Sequence, residues 1–215
     1  MNITFYHKLK KQLENTPQKA DLVAVTKYSD VTQINEAIKM GITKIGENRV
    51  EIMEQKFTSL LPVEKHFIGR IQSKKIKKIV HYFDVIQSVS KFKYLEKIEK
   101  QAQEQQKNLE VFLQINISGE SQKDGFLKEE LDQIKNIMPN LKNTKITGIM
   151  GMAENTSDQA KIRKQFHQAK VIFEKLKTDI LNLKHISIGM SSDYELALAE
   201  GATLVRIGSK LFLES

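Results

Sequence analysis

The chain contains no cysteine, which excludes disulfides and thiolate metal sites alike. Nowhere do about 18 apolar residues run together, so no membrane span is expected. The first residues, Met1-Asn2-Ile3-Thr4-Phe5-Tyr6-His7-Lys8, lack the uninterrupted apolar core of a signal peptide, and a cytoplasmic location is expected. Arginine is scarce: Arg49, Arg70, Arg163 and Arg206 are the only ones, so nearly all positive charge is lysine. No linker, low-complexity tract or short repeat interrupts the chain. Also missing is the glycine-rich loop that would follow the first strand of a doubly wound nucleotide-binding sheet. The first apolar strand ends in Thr26-Lys27 instead. The chain stops seven residues after Gly208, and no second domain is expected behind the last strand.

What is present fits one globular domain over residues 1–215. Of 215 residues, 40% are hydrophobic and 28% charged, enough for a substantial core. The net charge of +8 favours anionic ligands. The lysines are scattered along helices and interleaved with glutamate. Their densest cluster, Lys74, Lys75, Lys77 and Lys78, has no aromatic platform or nucleic-acid motif beside it. It reads as a solvated face, and nucleic acid is not an expected partner.

Read in order, residues 3–16 form a short amphipathic helix with Phe5, Leu9 and Leu13 on one face, ended before Pro17. An apolar strand, Leu22-Val23-Ala24-Val25, ends at Thr26-Lys27. Asp30 and Gln33 form a capping box for a helix carrying Val31, Ile34 and Ile38. The unit then repeats. Strands are expected at 43–46, 66–69, 83–89, 111–117, 146–152, 186–190 and 203–207, each followed by a helical pattern. The helix after the fifth strand is expected to bury Leu127, Leu131, Ile134 and Met138. Eight strand–helix units imply parallel strands with right-handed crossovers, which close into a (β/α)₈ TIM-type barrel with one extra N-terminal helix. An open doubly wound sheet is the alternative, disfavoured by the missing glycine loop.

In such a barrel the site lies at the C-terminal ends of the strands. There the sequence puts Lys27 on strand one, Glu47 and Asn48 on strand two, His66 on strand three and Met150 on strand six. Gly189, Met190 and Ser191 end strand seven; Arg206, Gly208 and Ser209 end strand eight. An ammonium at Lys27, after a purely apolar strand, is expected to be partly desolvated, which frees the amine for Schiff-base chemistry; the bland alternative is a loop lysine in water. The Gly and Ser residues ending strands seven and eight fall where barrels bind phosphate, and two such ends offer N–H groups, hydroxyls and helix N-termini to one anion. Ser192 and Glu195 read as a local capping box needing no ligand. Arg206, between Val205 and Ile207, requires a fixed acceptor, either a structural carboxylate or a neutral ring nitrogen. His66 and Met150 are equally compatible with packing.

These motifs together resemble a known family. Val23-Ala24-Val25-Thr26-Lys27, Ile45-Gly46-Glu47-Asn48 and His66-Phe67-Ile68-Gly69 with Gln72-Ser73 are similar to stretches of the YggS/PROSC family, the pyridoxal-phosphate homeostasis proteins. The likeness continues through Gly148-Ile149-Met150, Gly189-Met190-Ser191-x-Asp193, and Gly201-x-Thr203-x-Val205-Arg206-Ile207-Gly208. Lys74 departs from it, standing where the family has Asn, and Arg70 and Tyr28 replace commoner neighbours. The resemblance implies a barrel like the N-terminal domain of alanine racemase. It implies pyridoxal 5′-phosphate held as a Schiff base on Lys27, its phosphate at Ser191, Gly208 and Ser209, and its pyridine nitrogen facing Arg206. Asn48 and His66 match positions near the ring, and Met150 and Gly189 belong to the same motifs. The implied role is intracellular homeostasis and carriage of the cofactor, with apo-enzymes as transient partners; separately, a monomer is expected.

The alternative is a small pyridoxal-phosphate-dependent amino-acid racemase or isomerase. Racemisation needs a proton donor on each face of the substrate, and for the second face the sequence offers only His66 or Tyr194. Robust catalysis is therefore not expected.

Overall fold

The computed structural model describes residues 1–120 and 122–212. Eight parallel strands close in sequence order: β1 (Asp21–Val25), β2 (Lys44–Glu47), β3 (Glu64–Phe67), β4 (Val85–Val89), β5 (Leu109–Ile115), β6 (Thr144–Gly151), β7 (His185–Ser187) and β8 (Leu204–Ile207), with β8 pairing back onto β1. The helix in front is α1 (Ile3–Glu14); α2 (Val31–Lys39), α3 (Val50–Lys56), α4 (Ile76–Tyr82), α5 (Phe92–Glu104), α6 (Ile134–Ile137), α7 (Gln159–Lys177), α8 (Tyr194–Ala199) and α9 (Ser209–Phe212) follow the strands in turn. This is the expected (β/α)₈ barrel.

Because side chains alternate along a strand, the barrel carries two cores. The larger lies between strands and helices and includes Leu9, Ile34, Ile45, Phe83, Ile98, Phe166 and Val205. A small second cluster, Val23, Val85, Phe112, Met150 and Leu204, fills the barrel itself. Gly46 and Gly148 make room for it: a Cβ on Gly46 would come within 2.9 Å of Val23, and one on Gly148 within 2.9 Å of Phe112.

Local chemistry sets several element ends. Asp30 caps α2 by accepting from Gln33 N–H at 2.8 Å, and the Gln33 side chain accepts from Asp30 N–H at 3.2 Å, completing the expected capping box. On α1 the buried face is Tyr6, Leu9 and Leu13, one residue on from the expected start at Phe5, whose ring instead packs edge-on against Tyr194. The regular helix expected after β5 is broken up. A 3₁₀ stretch, Lys128–Gln133, precedes the single turn of α6, and a second, Met138–Asn140, follows it. Pro139 has no N–H for an α-helical bond, and Leu127 is exposed ahead of the first turn rather than buried on a helix face. No helix among the described residues is long and apolar enough to cross a membrane.

Candidate functional site

A cavity of about 490 Å³ opens at the C-terminal mouth of the barrel. It gathers residues from most of the strand ends: Val25, Lys27, Tyr28 and Ser29 after β1, Asn48 after β2, Ile68 after β3, and Met150 and Met152 on and after β6. Met190, Ser191 and Ser192 follow β7, while Arg206, Gly208, Ser209 and Phe212 belong to β8 and the segment beyond. Among the described residues Lys27 and Arg206 are its only charged lining residues, so this lining is cationic and suits an anion.

The desolvation expected of Lys27 is absent: its side chain is exposed, and Nζ sits 4.7 Å from the ring centroid of Tyr28, which is itself 72% exposed. The short loop places Lys27 past the end of the sheet rather than inside the barrel.

Arg206 is the opposite case, 4% exposed on the inner face of β8. No carboxylate among the described residues hydrogen-bonds to it. Its Nη1 donates to Ser187 O at 2.6 Å and to Ser187 Oγ at 2.8 Å, and Nη2 donates to Gly151 O at 3.0 Å. Burial lowers its pKa to about 10, with Asp193 acting against the shift. Of its five N–H groups, Nε–H and one on Nη2 have no acceptor among the described residues. The acceptor required by its place in an apolar strand is therefore partly backbone, and two donors stay free beside the cavity.

On the β7 side, Gly189 adopts φ +88°, and a Cβ there would lie 2.5 Å from Ala197 Cβ. Only glycine turns the chain so tightly at this point, delivering Met190, Ser191 and Ser192 to the mouth. Gly189 lies beneath the cavity and is not part of its lining. Asp193 accepts from Met190 N–H at 2.6 Å, and Ser191 Oγ accepts from Gly208 N–H at 3.4 Å, joining the ends of β7 and β8. The Ser192–Glu195 capping box does not form. Asp193 is the residue before α8, and the Glu195 carboxylate accepts instead from Tyr194 OH at 3.2 Å, which leaves Ser192 to the cavity. The backbone N–H groups of Ser191, Ser192 and Ser209 have no acceptor among the described residues.

His66 does not reach the cavity. It lies inside the barrel, 1% exposed, with Nε2 2.7 Å from Glu64 Oε1 and Nδ1 2.8 Å from Gln87 Nε2. β3 begins at Glu64 rather than at His66, so His66 sits two residues up the strand and faces inward at mid-depth. Gln87 Oε1 in turn accepts from Ser187 Oγ at 2.7 Å, linking His66 to Arg206 through two side chains that sequence reading did not single out. The signal was there: a glutamine in the middle of an apolar strand must find partners when buried. Glu47 likewise faces away from the cavity, into the layer between β2 and α3.

The fold and this cationic chamber define a class: a (β/α)₈ barrel built to hold a small anion-bearing ligand at the ends of its strands. The chain belongs to the alanine racemase N-terminal domain family, whose profile matches residues 4–215. It is 35% identical over 198 residues to the pyridoxal phosphate homeostasis protein of Pseudomonas aeruginosa, spanning 91% of this chain and 85% of that one. To the protein of the same name in Helicobacter pylori it is 36% identical over 197 residues, 90% and 87% of the two chains. Among solved structures, PipY of Synechococcus elongatus without pyridoxal phosphate superposes with a TM-score of 0.88 at 31% identity, over 96% of this chain and 98% of PipY. The same protein with pyridoxal phosphate bound gives 0.81. An alanine racemase of Clostridium difficile shares the fold at 16% identity and a TM-score of 0.81, over 56% of its own length.

Proposed function

We propose that this chain binds pyridoxal 5′-phosphate in the mouth cavity and serves the intracellular supply of that cofactor, passing it to apo-enzymes, with residues 1–215 acting as one barrel domain. The observation that carries the reading is the convergence on one chamber, with no carboxylate among its described lining residues, of a primary amine, a buried guanidinium and serine hydroxyls, with two guanidinium N–H groups and the serine backbone N–H groups lacking an acceptor among the described residues. When bound, pyridoxal phosphate would supply an aldehyde carbon open to an amine, a phosphate dianion and a ring nitrogen acceptor. Lys27 is the amine, and its exposure leaves it free to exchange its partner. Ser191, Ser192 and Ser209 donate to the phosphate, with Gly208 allowing close approach. Arg206 would offer its remaining N–H groups to the ring nitrogen and, as a poor proton donor, would leave that nitrogen unprotonated. Asn48 and Met150 bound the ring. The names of the relatives and the pyridoxal phosphate bound in PipY support the same ligand.

Carriage is favoured over racemisation by where the candidate second-face proton donors lie. His66 is locked inside the barrel. Tyr194, its pKa pushed up to about 12 chiefly by burial, is hydrogen-bonded to Gln12 and Glu195. Neither borders the cavity.

The deciding experiment is an absorbance spectrum of the loaded protein. A visible band near about 420 nm is expected, abolished by borohydride with the cofactor fixed to Lys27. Lys27→Ala should lack that band while retaining weak binding through the phosphate. A wild-type spectrum in Lys27→Ala would overturn the assignment. Loss of the α-proton of alanine in deuterium oxide at about 1 s⁻¹ or faster, the low end of enzyme turnover, would establish an enzyme instead.

A further inference from the structure

The turn that carries Lys27 is fastened from behind by a second lysine. Residues 26–29 form a tight turn in which Ser29 N–H donates to Thr26 O at 3.1 Å, with Lys27 and Tyr28 at its tip. Thr26 N–H donates to Gly46 O at 3.0 Å, and beyond that bond the chain leaves the sheet. Its carbonyls there need other donors. Lys56, the last residue of α3, supplies them: Nζ donates to Thr26 O at 3.1 Å and to Ser29 O at 2.8 Å. One ammonium thus grips the carbonyl on either side of Lys27-Tyr28.

Its counter-charge is Glu47, whose Oε2 lies 3.7 Å from Nζ and has no hydrogen bond of its own. Oε1 accepts from Asn48 N–H at 2.8 Å. The Glu47 side chain is wholly buried and that of Lys56 is 13% exposed. A buried pair of this kind gains little stability over an apolar pair of similar size, and one carboxylate oxygen here is left unsatisfied. What an apolar pair would not do is hold two carbonyls at a fixed separation. Lys56 stands on α3, outside the cavity, yet its ammonium bonds to both ends of the turn at the cavity's edge.

We infer that Lys56, backed by Glu47, is a positioning residue for Lys27: it fixes the 26–29 turn so that the Lys27 amine meets the aldehyde of a ligand whose phosphate is held on the opposite loops. The inference rests on the reading of Lys27 given above. Neither Lys56 nor Glu47 lines the cavity.

The test compares two ligands that differ only at the reacting carbon, pyridoxal 5′-phosphate and pyridoxine 5′-phosphate, which carries an alcohol in place of the aldehyde. Dissociation constants are measured by calorimetry for wild type, Lys56→Met and the double variant Glu47→Gln/Lys56→Met, which leaves no unpaired buried charge if the single variant folds poorly. Affinity for pyridoxal phosphate should fall at least about tenfold in the variants, while that for pyridoxine phosphate stays within about twofold. Lys56→Arg, which keeps the donors, should recover most of the loss. Equal losses for both ligands, or no loss for either, would overturn the inference and make Lys56 a packing residue. Wild-type protein that binds both ligands equally and gives no visible band would overturn the Lys27 reading itself, and this inference with it.

Discussion

Ser191 and Ser209 reach the cavity from successive strand ends, and the N–H–Oγ contact between Gly208 and Ser191 holds those ends together. If the phosphate lies there, each hydroxyl contributes a charge-assisted bond worth roughly 1.5–3 kcal/mol. The Ser191→Ala/Ser209→Ala protein is then expected to lose far more affinity for pyridoxal phosphate than for pyridoxal, measured side by side by fluorescence titration. Equal losses would put the phosphate elsewhere. These serines were legible because Gly and Ser ending an apolar strand are a recognisable pattern, and Lys27, Asn48, Met150, Arg206 and Gly208 were legible as strand-end residues in the same way. Lys56, Gln87 and Ser187 were not. Each acts through a partner distant in sequence: a polar Gln87 in an apolar strand signals that it needs partners, but no local spacing says which.

Among the elements, the strands were legible because their apolar runs are short and regularly spaced, but their ends were not always. His66-Phe67-Ile68-Gly69 reads as a strand, whereas β3 starts earlier, at the charged Glu64. Glu64 is inside the ladder because its backbone pairs with Lys44 and its N–H donates to Thr43 O at 3.1 Å, bonds that hydropathy does not carry. The loop after β3 crosses the loop after β2 so closely that a Cβ on Gly69 would lie 2.0 Å from the backbone oxygen of Asn48. Gly69→Ala must therefore displace one backbone or the other. It is expected to cost at least about 1–3 kcal/mol of stability, the usual range for overpacking, read from urea denaturation. It should also weaken ligand binding, because Asn48 borders the cavity. Unchanged stability would mean that the two loops part without cost.

For the molecule as a whole, the deep end of the barrel predicts how stability depends on pH. Burial, with Lys184 adding to it, holds the His185 pKa below its ordinary 6.5, and the hydrogen bond from His66 holds Glu64 below 4.5 against the effect of burial. In both cases the unfolded chain takes up the proton first, so stability falls as pH falls. The His185 contribution is complete above 6.5 and fades below it; that of Glu64 is complete above 4.5 and fades below that. Glu47 works in the opposite direction, since burial raises its pKa above 4.5 and the folded state takes up that proton first. Because His185 stacks on Phe112 at 5.5 Å, His185→Phe should keep the packing. It is expected to flatten the decline of the urea midpoint between about pH 7 and about pH 5, whereas Glu64→Gln should change only the more acidic part. A His185→Phe profile parallel to wild type would exclude His185 as the cause.

Arg206 is bonded to Ser187, Ser187 to Gln87, Gln87 to His66 and His66 to Glu64. Arginine only donates and an ionised glutamate only accepts, so both ends of this row are fixed and every proton between them points the same way. His66 must carry its hydrogen on Nε2, and Gln87 must turn its oxygen to Ser187. Position 87 thus has a vocabulary of nearly one word. It needs an acceptor towards β7, a donor towards β3 and the length to span both: leucine offers neither group, glutamate brings no donor, and asparagine is a methylene short. A library randomised at position 87 and selected for folded, ligand-binding protein should return glutamine almost alone, and if position 187 is randomised with it, the accepted residues at the two positions should change together.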